Sequence, residues 1–81
     1  MGSMVSFSQL PNLKAKQLIL ALKKTGFRID RQKGSHVILI NEKNKLRTVV
    51  PMHSCETIKK SLLTEIIKQA NLTVEGFLEL L

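Results

Sequence analysis

Residues 27–51 read FRIDRQKGSHVILINEKNKLRTVVP, and this stretch decides the fold. Phe27 and Ile29 alternate with Arg28 and Asp30, the period-two pattern of a half-buried strand, which predicts a strand over Phe27–Gln32. Lys33-Gly34 is a turn in which the glycine supplies a positive φ. His36–Ile40 is apolar at every position after the histidine, as a central strand is. Asn41–Asn44 is a polar hairpin loop, and Leu46–Val50 is a third strand that Pro51 ends. Connections this short force antiparallel pairing, because a parallel crossover takes about a dozen residues or more.

Upstream, Ala15, Leu18, Ile19 and Leu22 recur on one face of a helix, predicted over Lys14–Thr25. Pro11 and Asn12 punctuate its start and Gly26 stops it, while Lys23 and Lys24 suit the negative end of the helix dipole. Downstream, Leu62, Leu63, Ile66, Ile67 and Ala70 form the buried stripe of a second helix, predicted over Thr57–Ala70, with Asn71 as a left-handed cap. A short last helix opens on Thr73 and presents Val74, Phe77, Leu78 and Leu81. The fold class is therefore α+β, in the order α-β-β-β-α-α: one three-stranded antiparallel sheet with helices on one face. Of the pairs Val37, Leu39 and Ile38, Ile40, one must be core. The other then lies on the open face, where an apolar surface suits a standing partner.

At 81 residues there is room for a single domain, taken as residues 4–81. Met1-Gly2-Ser3 reads as an added leader ahead of a start at Met4. The alternative is an acylation signal of the Met-Gly-x-x-x-Ser type, with Ser6, and the second methionine argues against it. Thirteen Lys+Arg against six Asp+Glu give +7. Ten of those cations, with only two acids, fall within residues 14–47, and residues 48–81 carry three cations and four acids. An anionic partner follows, and nucleic acid is the natural one. A lone cysteine excludes an internal disulfide and points to a reducing, cytoplasmic compartment. Two histidines with that cysteine fall short of a closed zinc site, so neither metal nor cofactor is expected. The longest apolar run, Leu18–Leu22, is far too short to span a membrane. With no Tyr or Trp and three Phe, recognition built on several stacked bases is disfavoured.

His36 is the sharpest candidate for chemistry. It follows Gly34-Ser35 at a hairpin mouth, with cations at 28, 31 and 33 nearby in sequence. A histidine, with an ordinary pKa of about 6.5, exchanges protons at neutral pH and can serve a ribose 2′-hydroxyl or a leaving 5′ oxygen. The plainer reading is a strand-end histidine at a sheet edge, and the residues alone lean that way. His53, in Val50-Pro51-Met52-His53, is a possible second acid or base, or simply a loop histidine bonded to nearby backbone. Cys55 has no cation to activate it and reads as a small thiol near a helix start. Asp30 and Glu42 stand apart, which argues against paired-carboxylate or two-metal chemistry. Lys16, Arg28, Arg31, Lys33, Ser35, Lys45 and Arg47 are the candidate contacts to an RNA backbone.

Gly26-Phe27, then Arg31-Gln32-Lys33-Gly34-Ser35-His36, then Val50-Pro51-Met52-His53, then Ile66-Ile67-Lys68-Gln69-Ala70 make an ordered series that resembles the HicA toxins of bacterial and archaeal toxin–antitoxin systems. The resemblance spans about residues 10–81. It implies a fold like a double-stranded-RNA-binding domain and an mRNA interferase acting without the ribosome. It also implies an active-site histidine at His36 and a cognate antitoxin of the HicB family. Three positions depart from the family's pattern: Lys14-Ala15 where Ser-Gly or Thr-Gly is usual, Ser61-Leu62-Leu63 where Gly-Thr-Leu is, and Asn71 where glycine is. All three concern helix boundaries.

The leading expectation is a metal-independent endoribonuclease in which basic side chains hold mRNA and His36 transfers a proton. Arg31 and Lys33 would steady the charge of the phosphorane. A non-catalytic RNA-binding module fits the charge equally well, and a protein-binding adaptor using the open sheet face is the third reading.

Overall fold

A computed structural model describes residues 10–53 and 56–81. The expectations for the leader at residues 1–3, for Ser6 and for Cys55 lie outside the described residues. Helix α1 (Ala15–Lys23) is followed by strands β1 (Phe27–Lys33), β2 (His36–Asn41) and β3 (Leu46–Pro51), then by helices α2 (Lys60–Gln69) and α3 (Val74–Leu78). The three strands form one antiparallel sheet in the order β1-β2-β3. This is the α+β architecture read from residues 27–51.

The register separates the two faces of the sheet. Three rungs point inward: Phe27 with Asn41 and Leu46, Ile29 with Leu39 and Thr48, and Gln32 with Val37 and Val50. Val37, Leu39 and Val50 are buried in one cluster with Leu18, Leu22, Leu63, Ile66, Ile67 and Phe77, so the helices cover this face. The pair Val37, Leu39 is thus the core pair. Three rungs point outward: Arg28 with Ile40 and Arg47, Arg31 with Ile38 and Val49, and Lys33 with His36 and Pro51.

Several boundaries differ from the sequence reading, each for a local reason. Helix α2 starts at Lys60, not Thr57. Thr57 instead forms a bridge with Lys14, and the Ile58 N–H donates to the Leu13 carbonyl at 2.7 Å. These bonds hold the segment extended, and its apolar Ile58 reaches the core without a helical turn. Ile29, expected to be half-buried, is 42% exposed, because β1 is an edge strand whose register shifts between Ile29 and Arg31. Leu81 is 51% exposed and lines a shallow hollow with Leu20 and Leu80, while Val74 and Phe77 carry the burial of the last helix. The outer face is not a bare apolar patch: Ile38 is only 6% exposed and Ile40 is half-buried. Arg31 and Val49 flank Ile38, and Arg28 and Arg47 flank Ile40, and an arginine stem can lie along apolar surface while its charge stays in water.

The turns and caps follow their chemistry. Gly34 takes φ +56° in the two-residue turn between β1 and β2. Gly26 ends the first helical segment at φ +103°, and a Cβ there would stand 3.3 Å from the Asn41 amide. Asn71 takes φ +58°, the left-handed cap position expected for it. Without a Ser or Thr cap at Lys14, the Gln17 Oε1 reaches back to accept from the Lys14 N–H at 2.9 Å. Among the described residues, no helix is long and apolar enough to cross a membrane.

Candidate functional site

His36 opens β2 and is exposed on the outer face of the sheet. The turn at Gly34-Ser35 brings β1 back beside it, so Lys33 is its direct partner on one side. Pro51 is its partner on the other. The Ser35 carbonyl accepts from the Met52 N–H, which ties this hairpin mouth to the end of β3. Ser35 itself is half-buried, and its backbone does this structural work.

The expected cations do not form one cluster. Arg31 and Lys33 lie on the two outer rungs nearest His36. Arg28 and Arg47 share the rung at Ile40, one strand-length further on. Lys45 sits at φ +63° in the turn between β2 and β3, at the opposite end of the hairpin from His36, about 17 Å along β2. Lys16 is exposed on α1, whose buried side joins the core on the inner face, so the fold does not bring it to the outer face. Lys24, also on the helical layer, donates from Nζ to the Leu80 carbonyl at 2.7 Å and ties α1 to the last turn of the chain.

Carboxylates divide the cations further. Glu42 accepts from the Arg28 Nε at 2.6 Å, and Asp30 accepts from the Arg31 Nε at 3.0 Å. Asp30 and Glu42, which stand apart in sequence, therefore serve as arginine partners rather than as a catalytic pair. The hydrogen bond to Glu42, more than the charge of Asp30, raises the Arg28 guanidinium above its ordinary pKa. The Arg28–Glu42 pair is exposed on both sides, and the Arg31–Asp30 pair on its arginine side with Asp30 half-buried, so each adds at most a small stabilisation. Among the described residues, Lys33 and Arg47 have no carboxylate at ion-pair distance.

Beside His36 runs an open groove of about 490 Å³, lined by His36, Arg47, Thr48, Val49, Pro51, Leu62 and Gln69. It follows the free edge of β3 and continues onto α2. Thr48 and Gln69 were not legible as site residues, since they stand 21 apart with no local motif between them. They meet only in the fold, where the Thr48 hydroxyl donates to the Gln69 Oε1 at 2.7 Å. His53 does not line this groove. It is exposed on an adjoining hollow with Glu56, Lys59 and Leu62, and its carbonyl accepts from the Glu56 N–H. No group of three or more His, Cys, Asp or Glu able to hold a metal ion occurs among the described residues.

The fold and this cationic sheet face define the class: a small α+β domain like a double-stranded-RNA-binding domain, with a histidine at the mouth of its first hairpin. The model of the HicA toxin of bacterial toxin–antitoxin systems matches residues 15–72. The chain therefore belongs to the HicA toxin family, a toxin whose family membership implies a cognate antitoxin. None of the curated proteins matches it.

Proposed function

We propose that this toxin is an endoribonuclease that cuts mRNA, without the ribosome and without a metal ion, and thereby stops translation and growth. The observation that carries the reading is the outer rung Lys33–His36–Pro51: an exposed imidazole with a lysine as its direct cross-strand partner. Lys33, lacking a carboxylate partner among the described residues, is available to a phosphate. Attack of a ribose 2′-oxygen on the adjacent phosphorus forms one P–O bond and breaks another, leaving a 2′,3′-cyclic phosphate and a 5′-hydroxyl. One proton leaves the 2′-hydroxyl and one reaches the 5′ oxygen. His36 carries one of these transfers, which contributes about 10²–10⁴-fold to the rate. Lys33 faces the charge that develops on the phosphorane, with Arg31 sharing its charge with Asp30. His53, on the neighbouring hollow, is the candidate for the second proton.

The same surface is where an antitoxin would act. A partner with acidic side chains over Lys33 and Arg47 would exclude RNA and cover His36 at once. The test is expression in a bacterial host. Growth arrest with fragmented mRNA, relieved by His36→Ala in a chain that still accumulates, is the expected result. Arrest by the His36→Ala chain with equal fragmentation would remove His36 from the mechanism, and arrest with intact mRNA would favour a non-catalytic RNA-binding toxin.

A further inference from the structure

The groove beside His36 is larger than a proton transfer requires. Its floor is β3 from Thr48 to Pro51, about 10 Å of strand. That is the length of one nucleotide from its phosphate to the far edge of its base. His36 and Pro51 stand at one end, and Thr48 and Gln69 at the other. Val49, Pro51 and Leu62 give the groove apolar walls, which suit the flat face of a base. Arg47 adds a cation without a carboxylate partner among the described residues.

The polar end is oriented. Thr48 is 1% exposed, and its buried hydroxyl donates to the Gln69 Oε1 at 2.7 Å. This bond uses the carbonyl oxygen of the carboxamide, while Gln69 itself is exposed. The bond leaves the N–H donors of the Gln69 Nε2 unused, on a side chain that lines the groove. The free edge of β3 adds further donors. The Met52-to-Ser35 bond sets the phase of the ladder, so the backbone N–H groups of Arg47 and Val49 point away from β2, and Pro51 has none to offer.

We propose that this groove is a nucleobase subsite. It takes the unpaired base of a nucleotide adjoining the cut phosphate, and Gln69 reads that base by donating to an acceptor on its far edge. This rests on the reading of the protein as a ribonuclease. Gln69 is then a specificity-determining residue, with Thr48 as the residue that positions it. Recognition by donors and apolar walls also suits a chain with no Tyr or Trp for stacking.

The experiment maps cut sites on a random-sequence RNA pool for the unsubstituted chain, Gln69→Leu and Gln69→Glu. Beside it, the Gln69 side-chain amide is followed by NMR as an oligonucleotide with 2′-deoxyribose at every position is added, which cannot be cut. The unsubstituted chain should prefer particular bases at one position next to the cut. Gln69→Leu should reduce that preference by about tenfold, the worth of one hydrogen bond. Gln69→Glu should move it toward bases that present an amino group. An unchanged preference in Gln69→Leu would overturn the proposal. Should the chain cut no RNA, the ribonuclease reading falls, yet a shift of the Gln69 amide with the oligonucleotide still supports a base subsite. An amide unmoved by the oligonucleotide but moved by an acidic peptide overturns it in favour of protein docking.

Discussion

Lys33 and the arginines carry the same charge and differ in what surrounds them. Arg28 and Arg31 have carboxylate partners, and Lys33 has none among the described residues. A cation that is already paired releases less counterion when it meets a phosphate. Lys33→Ala should therefore lower the slope of log affinity against log salt for RNA by about 1, and Arg28→Ala by clearly less. Affinities measured over a salt series check this, and equal slopes for the two variants would mean that the ion pairs do not matter. The Glu42 bond raises the Arg28 pKa, so whatever it adds to stability is present below the ordinary arginine value and lost only above it. Thermal melts across the neutral range should show no pH dependence from this pair. His36 was legible as a candidate because Gly34 and Ser35 announce a hairpin mouth just before it. The partners of Arg28 and Thr48 were not, because they stand 14 and 21 residues away and meet only through register and packing.

Among the elements, the strands are legible in the sequence because period-two patterning and short turns leave little choice of pairing. The start of α2 departs from the periodicity for a local reason. Ile58 fits the apolar spacing of a helix, but the bonds from Leu13 and Lys14 capture the segment first. Periodicity carries no information about such a competing backbone partner. The last helix is the opposite case. Thr73 was legible as its cap, and its Oγ1 accepts from the Gly76 N–H at 3.0 Å. Thr73→Ala should cost about 1 kcal/mol in urea unfolding. By contrast, Leu39→Ala removes a fully buried side chain from the centre of the sheet and should cost about 2–5 kcal/mol. An effect of Thr73→Ala as large as that of Leu39→Ala would show that α3 does more than close the core.

At the scale of the molecule, the excess of cations within residues 14–47 is spread over two layers. Lys16 and Lys24 lie on the helical side, and the outer face of the sheet carries Lys33 and Arg31 near His36 and Arg28 and Arg47 further along β2. Composition announced an anionic partner but could not say which cations would share a face. That assignment needed the register. The near-neutral last third supplies α2 and α3, which help bury the inner face, and α2 forms one wall of the groove through Leu62 and Gln69. On the proposed reading, an antitoxin seated on this face would compete with RNA for it. The most direct measurement of the central claim is cleavage of a defined RNA by the purified chain in EDTA, beside the His36→Ala chain at equal RNA occupancy. Cleavage that persists in EDTA and falls by about 10²–10⁴-fold in His36→Ala, with RNA binding retained, is the expected result. Undiminished cleavage by the His36→Ala chain would contradict it.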